Sequence, residues 1–424
     1  MANATLDLIQ GLLWSKGLHI GQLNPGNRPM AAMMGVPDMV PFPGAQSHDH
    51  CMTVARVPAR KFYWDAELHI STQMAVQRWY EMDGYTVIAD VYNWETEALG
   101  ARFIYSDNAM PTPDVSHPLI SSPADLARLK PLDPTKGRVP FACELARLTA
   151  ERASGLLKDG FFCSPFSMMC NMMGYAPAVH AMRRNPQFAK DVFAFMEEGA
   201  ILPFVRAQAE HGHLKSFTGP DAWACFPNLS HAMIREWELP SAQRLKALGK
   251  KNGWDIKAGS VAGDYCEEDP AKFDKKLMWD SFDLINEFGL LGMKMVLGAM
   301  GRTQEWDPLW IKEYADTHGH QPVFLGLNGR FIRDSKPEAI VAKVRQWIDV
   351  LGRNGKLVLN IANIPADTSP LNVFVASRAV HTLGRYPIAR DLSQVDVPLP
   401  RFTPFDEWLK GQPEEEVIRR SREK

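Results

Sequence analysis

Residues 47–51 read SHDHC and form the densest cluster of reactive side chains in the chain. His48 and His50 stand two residues apart, so in an extended segment both point to one side. Such a pair can hold a metal, relay a proton or grip an acid. A zinc ion needs a third and a fourth ligand. Cys51 is adjacent but faces away in an extended chain, which leaves Cys225 and Cys266 as further ligand candidates. A surface loop with incidental histidines is the alternative. The stretch TVIADVYNWETEALG sets Asp90 inside an apolar run, where an unpaired carboxylate is costly to bury. Asp90 is therefore expected to be paired, hydrated or at work. Tyr92, Asn93 and Glu95 follow it, although Glu95 and Glu97 also suit the first turn of a helix.

Further candidates follow other apolar runs. AGSVAGDYCEED offers glycines that let the backbone approach a ligand, with Asp264 and Tyr265 placed to hydrogen-bond it. GPDAWAC supplies Asp221, Trp223 and Cys225; an Asp after Pro is also a plain turn former. Arg330 follows PVFLGLN, and Asn363 follows KLVLNIAN. In NIPADTSPLNV, Thr368 or Ser369 can cap a helix starting near Pro370. A helix start of that kind favours an anionic group.

Elements must bring these residues together. The candidate strands are 39–44, 86–93, 160–167, 214–219, 255–261, 294–300, 322–328 and 356–363. Helical patterns lie between them, including AELHISTQMAVQRWYEM and PEAIVAKVRQWIDVLGRNG, the second with a Gly stop at Gly352 or Gly355. Strands alternating with helices predict an α/β chain folded as a (β/α)8 TIM barrel, with chemistry at the C-terminal strand ends. A doubly wound open sheet is the alternative, weakened by the lack of a GxGxxG after an early strand. The expected organisation is an N-terminal extension (1–35), the barrel (36–390) and a C-terminal extension (391–424) ending in a frayed helix or tail.

The chain has 424 residues, 46% hydrophobic and 23% charged, with a formal net charge of -2. That balance suits a large buried core. No lysine or arginine tract calls for nucleic acid or an anionic membrane. No apolar run approaches the roughly 20 residues of a membrane span, and the N-terminus lacks a signal-peptide pattern. Six scattered cysteines without a CxxC read as reduced thiols, so a cytoplasmic enzyme is expected. The 20 methionines and 12 tryptophans read as core filler or as an adaptable apolar pocket.

Taken together, VPDMVPFPG, YNWETEALGARF, CSPFSMMCNMMGY, DAWACFPNLS, AGSVAGDY and SKPEAIVAKVRQWIDVLGRNGKLVLNIANIPADTSPLNV resemble the uroporphyrinogen decarboxylase superfamily. The resemblance runs over roughly residues 30 to 390 and is greater to the corrinoid-linked methyltransferases than to the porphyrinogen decarboxylases. It implies a (β/α)8 barrel with its site in the mouth, and a homodimer. Porphyrinogen decarboxylases carry an arginine-rich N-terminal segment and a histidine in the last strand turn; here PGAQSHDHCMTVAR and Asn363 stand there. Asp90 falls close to their essential aspartate. The thiol-activating methyltransferases carry a His-x-Cys zinc pair and a later Cys, where this chain has Ser260, Ala262, and Ala362 or Asn363. The resemblance therefore implies a methyltransferase or O-demethylase that moves a methyl group from a small methyl ether or amine to a corrinoid, free or on a partner corrinoid protein. Zinc would be a further cofactor. His48, His50, Asp90 and Asp264 would act as acid or ligands. Tyr92, Trp223 and Tyr265 would line the pocket, and Arg330 would meet a substrate carboxylate. The alternative is a decarboxylase without cofactor, with Asp90 stabilising positive charge. A non-catalytic ligand-binding barrel is the third reading.

Overall fold

The computed structural model describes residues 2–18, 22–44, 46–90, 92–153, 158–259, 265–289, 292–298 and 300–423. It is an α/β structure with two parallel three-stranded sheets. One joins β3 (Gly160–Phe161), β4 (Ser216–Pro220) and β5 (Asp255–Gly259) in that order. The other joins β6 (Val296–Gly298), β7 (Val323–Leu327) and β8 (Leu357–Ile361). Parallel neighbours need a crossover between them, and helices supply it, among them Leu239–Lys251 and Pro337–Leu351. All five residues of β8 are buried, as expected of a strand covered on both faces. A short antiparallel hairpin, β1 (Phe103–Ile104) with β2 (Thr112–Pro113), lies apart from both sheets.

Of the expected strands 39–44 and 86–93, residues 39–44 and 86–90 join no ladder among the described residues, and Tyr92 and Asn93 form a turn into helix Trp94–Ala98. Pro41 and Pro43 have no N–H to give to one. The first segment still lies against β8: Leu359 N–H donates to Pro41 C=O, and Ile364 N–H donates to Gln46 C=O. The second segment is held by side chains instead of a strand. Gln77 donates to Thr86 C=O at 2.7 Å and accepts from Thr86 N–H at 3.0 Å, while Gln73 donates to Ile88 C=O at 3.0 Å. Gln208 does the same for Phe161 on the edge strand β3. Gly44 must be glycine here, because a Cβ would fall 1.8 Å from Gln77 Oε1.

Helix Pro337–Leu351 runs into a 3-10 turn and stops at Gly355, whose φ of 77° suits glycine. Met168, Met169, Met172 and Met173 pack into the core around β3–β5, so these methionines are filler. The chain end is not frayed. Helix Glu415–Arg422 buries Ile418, and Arg78 reaches Glu414 while Lys61 donates to Ser421 C=O. Among the described residues no helix is long and apolar enough to cross a membrane.

Candidate functional site

A cavity of about 370 Å³ opens where β7, β8 and the segment beside β8 end. Gln46, Asn328, Ala362 and Asn363 come from those C-terminal ends, and His48, Asp49, Met110, Glu268, Met300 and Arg330 complete most of its wall. The stretch after β8 thus delivers its backbone and Asn363 to a cavity. Asn328 shapes the rim by accepting from Arg330 N–H and Phe331 N–H and donating to Gly301 C=O.

His48 and His50 do not share a side. Residues His48–Val54 form a helix with Asp49 in its first turn, and a two-residue step on a helix turns about 200°. His48 lines the cavity. Its Nε2 meets the Gln46 amide at 3.2 Å, and its Nδ1 meets Tyr63 Oη at 2.7 Å. Tyr63 donates onward to Asp49. Because an ionised carboxylate only accepts, Tyr63 must spend its proton on Asp49, so His48 Nδ1 is the donor to Tyr63. His48 Nδ1 to Asp49 Oδ1 is 3.6 Å, a charge contact rather than a hydrogen bond. Burial works against the Asp49 charge, but His48, Tyr63 and the Met110 N–H outweigh it and hold the carboxyl below its usual range. Burial and the Asp49 carboxylate push the Tyr63 phenol well up.

His50 points the other way and is fully buried. It meets Tyr80 Oη at 2.7 Å, and burial takes its pKa down to about 4. The neighbouring Cys51 is also buried, at 3.3 Å from Ser47 Oγ, and burial pushes its thiol up to about 12.

Asp90 does not line the cavity. Arg138 Nη1 bonds it at 2.5 Å and Arg138 Nε bonds Glu97 at 2.7 Å, with all three side chains at or below one-tenth exposed. Burial nevertheless raises Asp90 above its usual value, against the pull of Arg138. Among the described residues, Asp90 Oδ1 and Arg138 Nη2 have no hydrogen-bond partner.

The other candidates have structural partners. Glu95 is buried, accepts from Cys163 N–H at 2.7 Å, and is raised by burial to about 8. Asn93 donates to Pro111 C=O, and Tyr92 C=O accepts from Asn171. Asp221 caps helix Pro165–Met173, accepting from Phe166 N–H, Ser167 N–H and Ser167 Oγ. Burial raises Asp221, and burial together with the neighbouring Asp221 raises Glu238 well above its usual value. Tyr265 is buried, stacks on Phe226 and accepts from Asp274 N–H. Trp223 is exposed and stacks on Tyr175 at 5.6 Å. Cys225 accepts from Asn228 at 3.2 Å. Asp264, Ser260 and Ala262 lie outside the described residues. Of the candidates, the structure brings His48, Arg330 and Asn363 to the cavity. Asp49, Tyr63 and Gln46 complete the relay. The SHDHC cluster pointed to Asp49, whereas nothing near Tyr63 in sequence marked it.

Zinc does not fit the described residues. Among them no three His, Cys, Asp or Glu side chains converge. Both ring nitrogens of His48 are engaged, and Cys51 and Cys225 are buried with hydrogen-bond partners of their own.

Parallel strands with helical crossovers and a polar cavity at the strand ends define an α/β protein with a candidate site at the C-terminal ends of β7 and β8. The chain belongs to the uroporphyrinogen decarboxylase (URO-D) family, whose model matches residues 42–258, just over half of the chain. Among solved structures, it is similar to a methyltransferase from Methanosarcina mazei, with a TM-score of 0.63 and 16% sequence identity over 84% of this chain and 98% of that one. At that identity the likeness is one of fold. A comparison with curated proteins finds no match.

Proposed function

We propose that the protein is a methyltransferase that takes a methyl group from a small methyl ether or amine and delivers it to a corrinoid. The observation that carries this reading is the relay ending in the cavity: Gln46, His48, Tyr63 and Asp49 in unbroken contact. The hard step in cleaving a methyl ether or amine is departure of the oxygen or nitrogen, which a positioned acid relieves. With Asp49 ionised and Tyr63 donating to it, His48 is held with Nδ1 as donor. When Gln46 turns its amide oxygen to the ring in place of the N–H that now meets Nε2, a second proton on Nε2 is held at the cavity and can pass to the leaving atom. The Asp49 charge stabilises that imidazolium through Tyr63. A corrinoid at the opening would supply the nucleophile that accepts the methyl group.

The wall also bears on substrate class. Among its described residues Arg330 is the one lysine or arginine, and it lies 4.0 Å from Glu268. Two carboxylates, Asp49 and Glu268, share the wall. This supports a small substrate of low charge over one with many carboxylates. The volume is at the small end of ligand sites. The second reading is a decarboxylase without cofactor. It is favoured by Asp90, whose Oδ1, without a partner among the described residues, is a buried acceptor for positive charge.

The two sheets and the segments at 39–46 and 86–90 would be parts of one closed (β/α)8 barrel. The contacts of Pro41 and Gln46 with β8, and of Gly44 N–H with Gly84 C=O, support this. The expected homodimer and corrinoid-protein partner belong to the same reading.

The test is an anaerobic assay of small methyl ethers and amines with reduced cobalamin as acceptor, following methylcobalamin by absorbance. Transfer is expected, and His48→Ala should lower its rate about 10²-fold or more. Carbon dioxide release from carboxylated substrates, with no methyl transfer from any donor, would establish the second reading instead.

A further inference from the structure

The relay joins two separate segments of chain. His48 and Asp49 lie on helix His48–Val54, whereas Tyr63 follows helix Ala59–Phe62. Residues 55–58 between them belong to neither helix and include Arg56, held at a φ of 53°. The 2.7 Å bond from His48 to Tyr63 therefore depends on how the two segments are held against each other. A misplacement of about 1 Å at a reacting group can cost about 10²-fold in rate.

Helix Glu415–Arg422 reaches both segments from more than 350 positions away in sequence. Arg422 Nε donates to Ala55 C=O at 2.8 Å. Ala55 caps helix His48–Val54, and carbonyls at that end have no partner within the helix. Lys61 Nζ donates to Ser421 C=O at 2.9 Å and to Glu423 C=O at 2.8 Å. The second segment thus places a cation at the C-terminal end of helix Glu415–Arg422, where the helix dipole favours it. Asp406 pairs with Arg422 at 2.8 Å and also with Arg56. The helix is itself seated, with Ile418 fully buried and Glu414 bonded to Arg78 of helix Ala66–Trp79.

We propose that Arg422 and Lys61 are positioning residues for the relay, clasping the His48–Asp49 segment and the Tyr63 segment to one turn of helix Glu415–Arg422. Neither residue lines the cavity. Both act on or beside the main chain, and hydrogen bonds from charged donors are about twice as strong as neutral ones. Their part in turnover rests on the proposed methyl transfer, but the clasp is read from the contacts alone.

The experiment follows the Asp49 carboxyl of the full chain by carbon-13 NMR over a pH series, with Asp49→Asn assigning its signal. His48, Tyr63 and the Met110 N–H together hold that carboxyl below its usual range. Loosening the two segments therefore appears as a rise in its midpoint, whether or not any methyl group is transferred. Arg422→Ala and Lys61→Met should each raise the midpoint by about 0.5 pH unit or more. Arg422→Lys, which can still donate to Ala55 C=O, should keep the wild-type midpoint. Arg420→Ala removes the same charge from the same helix, at a side chain 70% exposed and paired with Glu416, and should change nothing. Should Arg422→Ala misfold by circular dichroism, the exposed Lys61→Met carries the test. An unchanged midpoint in Arg422→Ala and Lys61→Met would mean that packing alone holds the relay and would overturn the proposal. An equal rise in Arg420→Ala would overturn it as well. A wild type without methyl transfer refutes the reaction alone, and the midpoint still decides the clasp.

Discussion

Tyr63 links His48 and Asp49 on the cavity wall, and removing its hydroxyl separates them. In Tyr63→Phe, Asp49 loses one of the bonds that hold its pKa down. Its pKa should rise toward the ordinary carboxylate range. If turnover needs the Asp49 charge, the acid limb of the rate profile moves to higher pH, and the maximal rate falls about 10- to 100-fold. An unchanged acid limb in a rate–pH series would remove Asp49 from the relay. His50 titrates in the opposite sense to its neighbour's needs. Its folded pKa of about 4 lies below the unfolded value of 6.5. The unfolded chain therefore binds the extra proton first, and stability falls as pH drops from about 6.5 to 4. His50→Gln, which keeps a partner for Tyr80 but does not titrate, should flatten that part of the slope in urea unfolding at pH 7, 5.5 and 4.5. The sequence marked the SHDHC cluster, and the structure brings its His48 and Asp49 to the cavity, but the reading assumed an extended backbone. The helical signal was there in His48, Cys51, Met52 and Ala55, all buried at three-, four- and seven-residue spacing. Tyr63 was invisible because its role depends on where a separate turn packs.

At the scale of elements, glutamine side chains replace strand partners. Gln77 satisfies both backbone groups of Thr86 in a buried setting. Gln77→Leu keeps the size but leaves an N–H and a C=O without partners, each costing about 1–3 kcal/mol. Unfolding should show a loss of about 2–5 kcal/mol with the site otherwise intact. A loss under about 0.5 kcal/mol would mean that water or a shifted strand takes over the bonds. This device also explains which strands the sequence revealed. The runs 322–328 and 356–363 were legible almost to their ends, because β7 and β8 are continuous apolar strands with full ladders. The runs 39–44 and 86–93 were legible as apolar runs, but their described residues join no ladder. Proline in one, and amide side chains on the other, replace the ladder. Asp221 illustrates the same limit. An Asp after a strand and a Pro reads alike as a site residue or a cap, and only the fold turns it toward the N–H groups of Phe166 and Ser167.

Across the whole molecule, one buried network fastens the N-terminal segment to the last long helix. Arg28 bonds Asp38 at 3.1 Å and Asp83 at 2.6 Å. Asp83 also accepts from Phe42 N–H at 2.8 Å and meets His381 Nε2 at 2.7 Å. Residues from the first 40, from the loop after helix Ala66–Trp79 and from helix Pro370–Leu383 thus share one charge cluster. The two carboxylates are not equivalent. Burial raises Asp38, whereas burial of Asp83 is outweighed by His381 and Arg28, so that its pKa is lowered. The stability contributed by Asp83 is present above its unfolded pKa and is lost as pH falls through the lowered folded value. Arg28→Met fills the space but strands two buried carboxylates, and breaking such a network by removing one partner costs about 3–5 kcal/mol. The loss should be largest at pH 7. It should shrink toward pH 5, because carboxyls deprived of Arg28 take up protons there and cease to need a cation. Urea midpoints of wild type and Arg28→Met at the two pH values measure both effects. A deficit that stays constant with pH would mean that Arg28 acts through packing of its stem, not through the charges it joins.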